Sequence, residues 1–465
     1  MEKINNFKKV LINNKILVLI LLLSFFASIT YSFYWQIRPA VDARAYDVIA
    51  MNIVDGYGYR EMITKDIKYD YAIARVGPLY QYFLAGTYKV FGHNYGAVWI
   101  IQALLHAISA WLIYLVALLI FPPKAGPSKT AGRQPWADKQ HQYKEKVALW
   151  AAVLFGFYPD LIEISAMLMI ETLYLFLFLL MLFFFFKYFN KENAWSVSLL
   201  GIISGLTVLA RPPILFLIPV ILFYFYRRKA IPLMILFCVM MGIVFVPWTV
   251  RNYKVYDEFM PFGVAGGFNF WIGNHHGANG EQEQPLEATA FLATHEIKDL
   301  QKKSLAETKI FLYNYPVEFV KLTALRINKY FSIIRPMGFW FYQTGLSQFI
   351  FLILSALASV ILFIFGLAGF LYHFKLDNKL VNYLSAFTII TPLIIFVTVV
   401  ETRYRFQIYP LLMIFAGYFI VFLFKQKKWQ LNKIFLLAAA IILTNGLIDL
   451  ILSMEKFRER INWFF

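Results

Sequence analysis

The sequence predicts an all-α, polytopic membrane protein: a transmembrane helical bundle of about eleven spans, with interfacial helices in two external loops. Three observations carry this fold class. Residues are 60% hydrophobic, 19% aromatic and only 15% charged, against roughly 25% charged in a soluble domain. The apolar residues fall in blocks of about 20, the length that crosses a hydrocarbon core. Lys and Arg gather in alternate connections between the blocks, as in cytoplasmic loops.

The apolar runs place the spans at 15–37, 95–121, 147–159, 166–186, 195–210, 213–226, 230–250, 347–374, 381–400, 405–424 and 432–452. Lys3, Lys8 and Lys9 precede the first. Ile16 to Trp35 is too long for a signal peptide and lacks a small-residue cleavage site, so it reads as an uncleaved span. The third, fifth and sixth runs are short enough to be partly re-entrant. With the N-terminus cytoplasmic, the inside connections hold Lys124, Lys129, Arg133, Lys139, Lys144 and Lys146, then Lys187 and Lys191, then Arg227, Arg228 and Lys229, then Lys375 and Lys379, then Lys425, Lys427, Lys428 and Lys433. The short opposite loops carry only Arg211, Arg403 and Arg405. The tail with Lys456, Arg458 and Arg460 departs mildly from the rule.

The chain reads as one membrane domain, 1–465, with long external loops at 38–94 and 251–346 and a flexible cytoplasmic loop at 122–146. The net charge of +17 is accounted for by cytoplasmic loops, and no basic face with interleaved aromatics points to nucleic acid. The single cysteine, Cys238, lies in an apolar run and offers neither a disulfide nor zinc spacing. There is no internal repeat, no glycine-rich phosphate loop and no Ser/His/Asp spacing. Each long loop holds an amphipathic stretch. Tyr46, Ile49, Ala50 and Ile53 recur in the first; Phe319, Leu322, Leu325 and Ile327 recur in the second, with Lys321, Arg326 and Lys329 between them. Such helices either lie in the membrane interface or cover the bundle.

Ionisable groups near membrane depth are the candidates for chemistry. Asp42 follows the first span, where a carboxylate can take a proton from an incoming hydroxyl or simply cap a helix. Glu171 opens the fourth span among apolar neighbours, with Asp160 and Glu163 as competitors in the same loop. Arg75 precedes the second span, Arg251 closes the seventh, and Glu401-Thr402-Arg403-Tyr404-Arg405 forms a charged knot between the ninth and tenth. An arginine fork suits phosphate oxygens, with Glu401 and Tyr404 in support of Arg403; each arginine also has the alternative of snorkelling to headgroups. These positions are distant in sequence yet map to one membrane face, as a pocket for an anionic lipid-linked substrate requires. His275 and His276 adjoin in a polar loop, where loop or acceptor contact is favoured over a metal.

The chain resembles the polytopic C-type glycosyltransferases that use polyprenyl-phosphate sugars. The likeness is to the bacterial branch related to protein O-mannosyltransferases and the lipid A aminoarabinose transferase. It is carried, in order, by Asp42-Ala-Arg-Ala-Tyr46 through Gly56-Tyr-Gly58, Arg75-Val-Gly-Pro78-Leu-Tyr80, Tyr158-Pro159 with Glu171-Thr-Leu-Tyr174, Ala210-Arg211-Pro212, Pro247-Trp248-Thr-Val-Arg251-Asn252-Tyr253, Gly266-Gly267-Phe-Asn269-Phe-Trp271-Ile-Gly273-Asn274 and Glu401-Thr-Arg403-Tyr404. The resemblance implies transfer of a sugar from a lipid carrier to an acceptor hydroxyl or amine, with inversion. It puts the first-loop acid on Asp42 as general base or acceptor-orienting group, and the second acid on Glu171, where relatives often carry Asp. It places Arg75 on the donor phosphate, Arg251 and Arg403 beside it, and Asn269 and Asn274 in acceptor or loop contact.

The expected partners are a polyprenyl-phosphate sugar, an acceptor glycan, lipid or protein, and membrane lipids. No cofactor is called for, no metal site is assigned, and a divalent ion is left open. A plasma membrane, bacterial and inner, is the expected location, with the N-terminus inside and the active site outside. No large soluble domain is expected after the last span, which weighs against oligosaccharyltransferase-like relatives. Two rivals stand beside this reading: an O-antigen polymerase or ligase, which does not require an acid just after the first span, and a lipid or solute transporter, which predicts charges in mid-span.

Overall fold

The computed structural model describes residues 14–75, 77–121, 135–189, 191–334, 345–374, 378–425, 433–455 and 458. Among them every regular element is helical. α1 (Lys15–Trp35) leads to a loop holding α2 (Asp42–Val54) and α3 (Leu79–Phe91). α4 (Tyr95–Ile120) and α5 (Pro135–Gly156) follow; the described end of α5 meets the short α6 (Pro159–Ala166) at a 50° bend. Next come α7 (Glu171–Lys187), α8 (Ala194–Ala210), α9 (Ile218–Arg227) and α10 (Ile231–Tyr256). The second long loop carries α11 (Ala265–Gly273), α12 (Leu286–Thr294), α13 (Asp299–Asn314) and α14 (Pro316–Tyr330). α15 (Gly345–His373), α16 (Lys379–Ile390), α17 (Leu393–Val397), α18 (Tyr409–Lys425) and α19 (Lys433–Leu452) close the chain.

The predicted apolar runs fall largely on helix, the backbone breaking within them at 157–158, 167–170, 391–392, 398–400 and 406–408, and the protein is integral to a membrane. Among the described residues six stretches are long and apolar enough to cross a bilayer alone: α1, α4, α10, α15, residues 379–397 and α19. The bent pair of α5 and α6 adds a broken one. α7, α8 and α18 have 17 residues each. At 1.5 Å per residue such a helix is about 25 Å long, short of a hydrocarbon core of about 30 Å. The shortness has a structural reason. α8 stops where the 3-10 turn Pro212–Leu217 begins, and α18 is preceded by the 3-10 turn Thr402–Arg405. Helix ends and charged turns are thereby recessed into the bundle, where they form the site described below.

The broken backbone between α5 and α7 sits among apolar helices and needs hydrogen-bond partners, because lipid supplies none. Side chains of α1 and α4 provide them. The Gly156 carbonyl accepts from Ser24 Oγ at 3.2 Å and bonds His106 Nε2 at 3.1 Å. Gln102 Nε2 donates to the carbonyls of Ser165 (2.8 Å) and Met167 (2.7 Å), while its Oε1 accepts from Tyr80 at 2.8 Å. Ser28 and Ser165 share a hydroxyl–hydroxyl bond of 2.6 Å. Elsewhere helices approach through small residues, as expected in a membrane. A side chain at Gly201 or Gly205 of α8 would meet the backbone of α10 within 2.7 and 2.9 Å.

The two amphipathic stretches resolve differently. In α2 the apolar stripe faces inward: Tyr46, Ile49 and Ala50 are buried, and Tyr46 meets the Tyr80 ring edge-on at 5.6 Å. This helix covers the bundle. In α14 two of the expected polar residues, Arg326 and Lys329, are buried beside Leu322 of the apolar stripe. Arg326 donates to the Gly273 carbonyl, to Asn274 Oδ1 (3.0 Å) and to the Phe396 carbonyl (3.3 Å), and Lys329 bonds the Asn279 carbonyl and Glu281, both at 2.8 Å. Burial pushes the Arg326 guanidinium down to about 10. Val317 and Val320 are left exposed instead. Unpaired loop carbonyls outweigh apolar periodicity here, because each buried carbonyl needs a donor. A reciprocal Asn328–Asn445 pair (2.9 Å) joins α14 to α19. The basic residues predicted at Lys3, Lys8, Lys9, Lys124, Lys129, Arg133, Lys375, Lys427, Lys428, Lys456 and Arg460 lie outside the described residues.

Candidate active site

Seven of the sequence-predicted residues converge at one end of the bundle: Asp42, Arg75, Glu171, Asn269, Glu401, Arg403 and Tyr404. Asp42 is the first residue of α2, not its cap. The capping position belongs to Val41, whose φ of 48° and ψ of −115° offer no side-chain cap. A β-branched residue at positive φ is strained by about 1–3 kcal/mol. Asp42 Oδ1 accepts from Arg75 Nη1 at 3.0 Å and Oδ2 from Arg403 Nη2 at 2.7 Å. Burial pushes this carboxyl up, but Arg403, Arg75 and Arg211 outweigh burial and hold it below the ordinary 3.8.

Each arginine is fixed by a further acid. Arg75 bonds Glu61 Oε1 through Nε (3.2 Å) and Nη2 (2.8 Å). Burial alone would lower its proton affinity; Glu61 and then Asp42 reverse that and raise it. Arg403 Nε donates to Glu401 Oε2 at 2.6 Å. Glu171, at the start of α7, is fully buried and paired with Arg211 at the C-terminal end of α8. The Tyr404 ring lies between two guanidiniums, 5.3 Å from Arg211 and 5.6 Å from Arg403. Arg75 and Arg403 thus join Asp42, Glu61 and Glu401 in one ion-pair network, and the separate Arg211–Glu171 pair lies beside it across the Tyr404 ring.

The network borders a cavity of about 420 Å³, within the usual range of about 300–1,000 Å³ for a small-molecule site. Arg75, Arg211, Tyr404, Asn269, Gln301 and Gln407 supply its polar wall. Pro212, Pro213, Leu215, Phe216 and Ile394 supply an apolar one. Phe216 is half exposed on the outer surface of the bundle, so the apolar wall continues toward lipid.

Other predicted residues are placed elsewhere. Arg251 donates to the Tyr59 carbonyl (2.8 Å) and Asn252 Oδ1 (3.0 Å) and lies against the rings of Tyr59, Trp248 and Tyr256. It is not among the described cavity-lining residues. Asn274 is buried and donates to the carbonyls of Phe270 and Val397 at 2.8 and 2.9 Å, a structural clip beneath the wall. Asp160 accepts from Ser355 of α15. His276 pairs with Glu318 at 3.0 Å on the exposed surface. Among the described residues no three His, Cys, Asp or Glu side chains gather as a metal-binding group; Asp42 and Glu61 both turn an oxygen to Arg75.

Arg211, Gln301 and Gln407 were not singled out from the sequence as site residues. Arg211 had a signal: the lone charge of its loop, followed by Pro212-Pro213, which ends the helix and turns the side chain inward. The two glutamines had none.

Gly77 determines how closely the first loop approaches α8. Its φ is +49°, and a Cβ there would sit 2.2 Å from the Leu209 carbonyl oxygen and 2.3 Å from that of Ala210. Gly77→Ala is expected to destabilise the protein by about 2–4 kcal/mol and to displace Arg75 from the cavity wall it shares with Arg211. Thermal unfolding in detergent, compared with wild type, measures the first effect.

Residues 136–261 match the profile of the dolichyl-phosphate-mannose-protein mannosyltransferase family, a minority of the chain. No curated protein sequence matches it. In structure the chain is similar to the archaeal oligosaccharyltransferase AglB from Archaeoglobus fulgidus, solved with an inhibitory peptide and a dolichol-phosphate: 13% identity, TM-score 0.51, covering 92% of this chain and 54% of that one. The chain therefore spans about half the length of that relative. ArnT from Cupriavidus metallidurans, solved with undecaprenyl phosphate, aligns at 11% identity and TM-score 0.41 over 87% of this chain and 77% of that one. The protein thus shares its polytopic helical fold with the archaeal oligosaccharyltransferase AglB, and a central segment matches the dolichyl-phosphate-mannose-protein mannosyltransferase family.

Proposed function

We propose that this chain is a membrane glycosyltransferase that moves a sugar from a polyprenyl-phosphate-linked donor to an acceptor hydroxyl or amine, on a lipid, a polysaccharide or a protein, with inversion at the anomeric carbon. The observation that carries the reading is the ionised Asp42 clamped by Arg75 and Arg403, beside a cavity with one cationic wall and one apolar wall open to lipid. The cations suit the donor phosphate, and the apolar wall suits the start of a prenyl chain.

In this reading the acceptor oxygen or nitrogen attacks the anomeric carbon from the Asp42 side. The bond from that carbon to the phosphate oxygen breaks, and its electron pair leaves with the phosphate. The acceptor proton passes to an Asp42 carboxylate oxygen and then to water. Polyprenyl phosphate is a stable anion near neutral pH, so its departure needs charge stabilisation by Arg75 and Arg211. The phosphate competes with Asp42 for Arg75, and binding of the donor frees the carboxylate for the acceptor. Every step uses this chain's own side chains. The distribution of Lys and Arg between connections supports an N-terminus in the cytoplasm and an active site on the opposite face of the membrane.

The test is release of polyprenyl phosphate by the purified full chain from a panel of polyprenyl-phosphate sugars, with a membrane extract as acceptor source. Release is expected from at least one donor, with a product of opposite anomeric configuration. Absence of release from every donor overturns the reading.

A further inference from the structure

A second carboxylate on α2 lies outside the chemistry described so far. Asp47, five residues after Asp42, is 7% exposed, and among the described residues no arginine or lysine pairs with it. Its partners all come from the corner between α3 and α4. Oδ1 accepts from the Tyr88 hydroxyl at 2.6 Å and pairs with His93 Nε2 at 2.9 Å; Oδ2 accepts from the Tyr95 hydroxyl at 2.7 Å. The His93 ring stands edge-on to both tyrosines, 4.8 Å from Tyr88 and 5.0 Å from Tyr95. Gly92, at a φ of +71°, ends α3 and lets the chain turn there. Tyr95 opens α4, which is long and apolar enough to span a bilayer, so the clasp ties α2 to a span. Burying a carboxylate is costly unless its oxygens are bonded, and three short bonds give the helix one favoured seat.

The two acids of α2 are therefore held in different ways. Five helical residues turn the chain so that Asp42 and Asp47 point about 140° apart and lie about 7.5 Å apart along the axis. Asp42 meets Arg75 and Arg403, whereas Asp47 meets two hydroxyls and an imidazole. The difference matters when the donor binds. Its phosphate competes with Asp42 for Arg75, so the hold on the start of α2 loosens when the carboxylate has to stand against the acceptor. Tyr88, His93 and Tyr95 are not among the described cavity-lining residues, and the donor leaves their grip untouched. Resting on the transferase reading above, we propose that Asp47 is a positioning residue. Clasped by Tyr88, His93 and Tyr95, it keeps α2 seated while the donor draws Arg75 from Asp42, and so keeps the Asp42 carboxylate against the acceptor.

The experiment is a double-mutant cycle on the full chain, with release of polyprenyl phosphate as the readout. Asp47→Leu is expected to lower kcat by roughly 10- to 100-fold, while KM for the donor and binding of bare polyprenyl phosphate stay unchanged or tighten. In an Asp42→Asn background the same substitution is expected to cause little further fall, because it acts through a carboxylate already removed. Tyr95→Phe and His93→Ala each remove one donor and are expected to give smaller losses of the same kind. His93→Gln, which keeps a donor, is expected to recover most of the loss seen in His93→Ala. These milder variants supply the same test if Asp47→Leu does not fold. An equal fall of kcat in the wild-type and Asp42→Asn backgrounds overturns the proposal and leaves the transferase reading intact. So does a loss of polyprenyl-phosphate binding in step with kcat in Tyr95→Phe and His93→Ala, which would make the clasp part of the scaffold only. Failure of wild type on all donors overturns both together.

Discussion

Asp42→Asn is expected to slow release of polyprenyl phosphate by about 10²–10⁴-fold, the usual contribution of a positioned base, while binding of bare polyprenyl phosphate is kept or strengthened. The second half of that result follows from the geometry. Asp42 occupies Arg75 Nη1 and Arg403 Nη2, and a neutral amide competes less for them than a carboxylate does. A variant that loses turnover and phosphate binding together would place Asp42 in the scaffold and refute its assignment as base. The pH profile provides a separate check. Because Asp42 in the folded protein is held below its ordinary 3.8, the stabilisation from its ion pairs is fully present above that value and is lost as pH falls through the lower, folded one. The acid limb that Asp42 gives to kcat/KM therefore lies below pH 3.8. Removing the leading counter-charge, Arg403→Met, should move that limb upward; a limb that stays in place would exclude Asp42 as its source.

The second large effect concerns stability. Glu171 and Arg211 form a buried pair, and removing one partner from such a pair costs about 3–5 kcal/mol because a buried charge is left alone. Arg211→Met should therefore lower the unfolding temperature sharply. Pairing it with Glu171→Leu should recover most of that loss, since apolar replacements of both partners are often neutral. Activity should not return with the stability, because Arg211 also lines the cavity. Recovery of turnover in the double variant would remove Arg211 from phosphate stabilisation; failure to recover stability would show that Glu171 does more than balance Arg211.

The sequence made the membrane fold legible because hydrophobicity and charge asymmetry are properties of single residues summed over a window. Most of each apolar run sits on helix, and α8 follows its proposed segment closely. The site was legible only in part. Asp42 and Arg75 could be singled out because each is an ionisable residue at the edge of a span. The ion pair of Asp42 with Arg403 was beyond reach, since the two are 361 positions apart and no local periodicity joins them. Arg251 shows the opposite failure. It has the residue type and the position of a phosphate ligand, yet three aromatic rings and a backbone carbonyl engage it. Arg326 escaped notice because helical periodicity assigns charge to the outside, whereas here the carbonyls of Gly273 and Phe396 draw it inward.

The stitched break between α5 and α7 bears on how the chain is made. Its carbonyls at Gly156, Ser165 and Met167 receive hydrogen bonds from Ser24, Gln102 and His106, and all three donors leave the ribosome before the carbonyls do. The kinked segment enters a bilayer in which its partners already wait, and biogenesis need not carry bare peptide groups through hydrocarbon. A circular permutant that begins after α4 would reverse that order and present the same break to lipid before any donor had arrived.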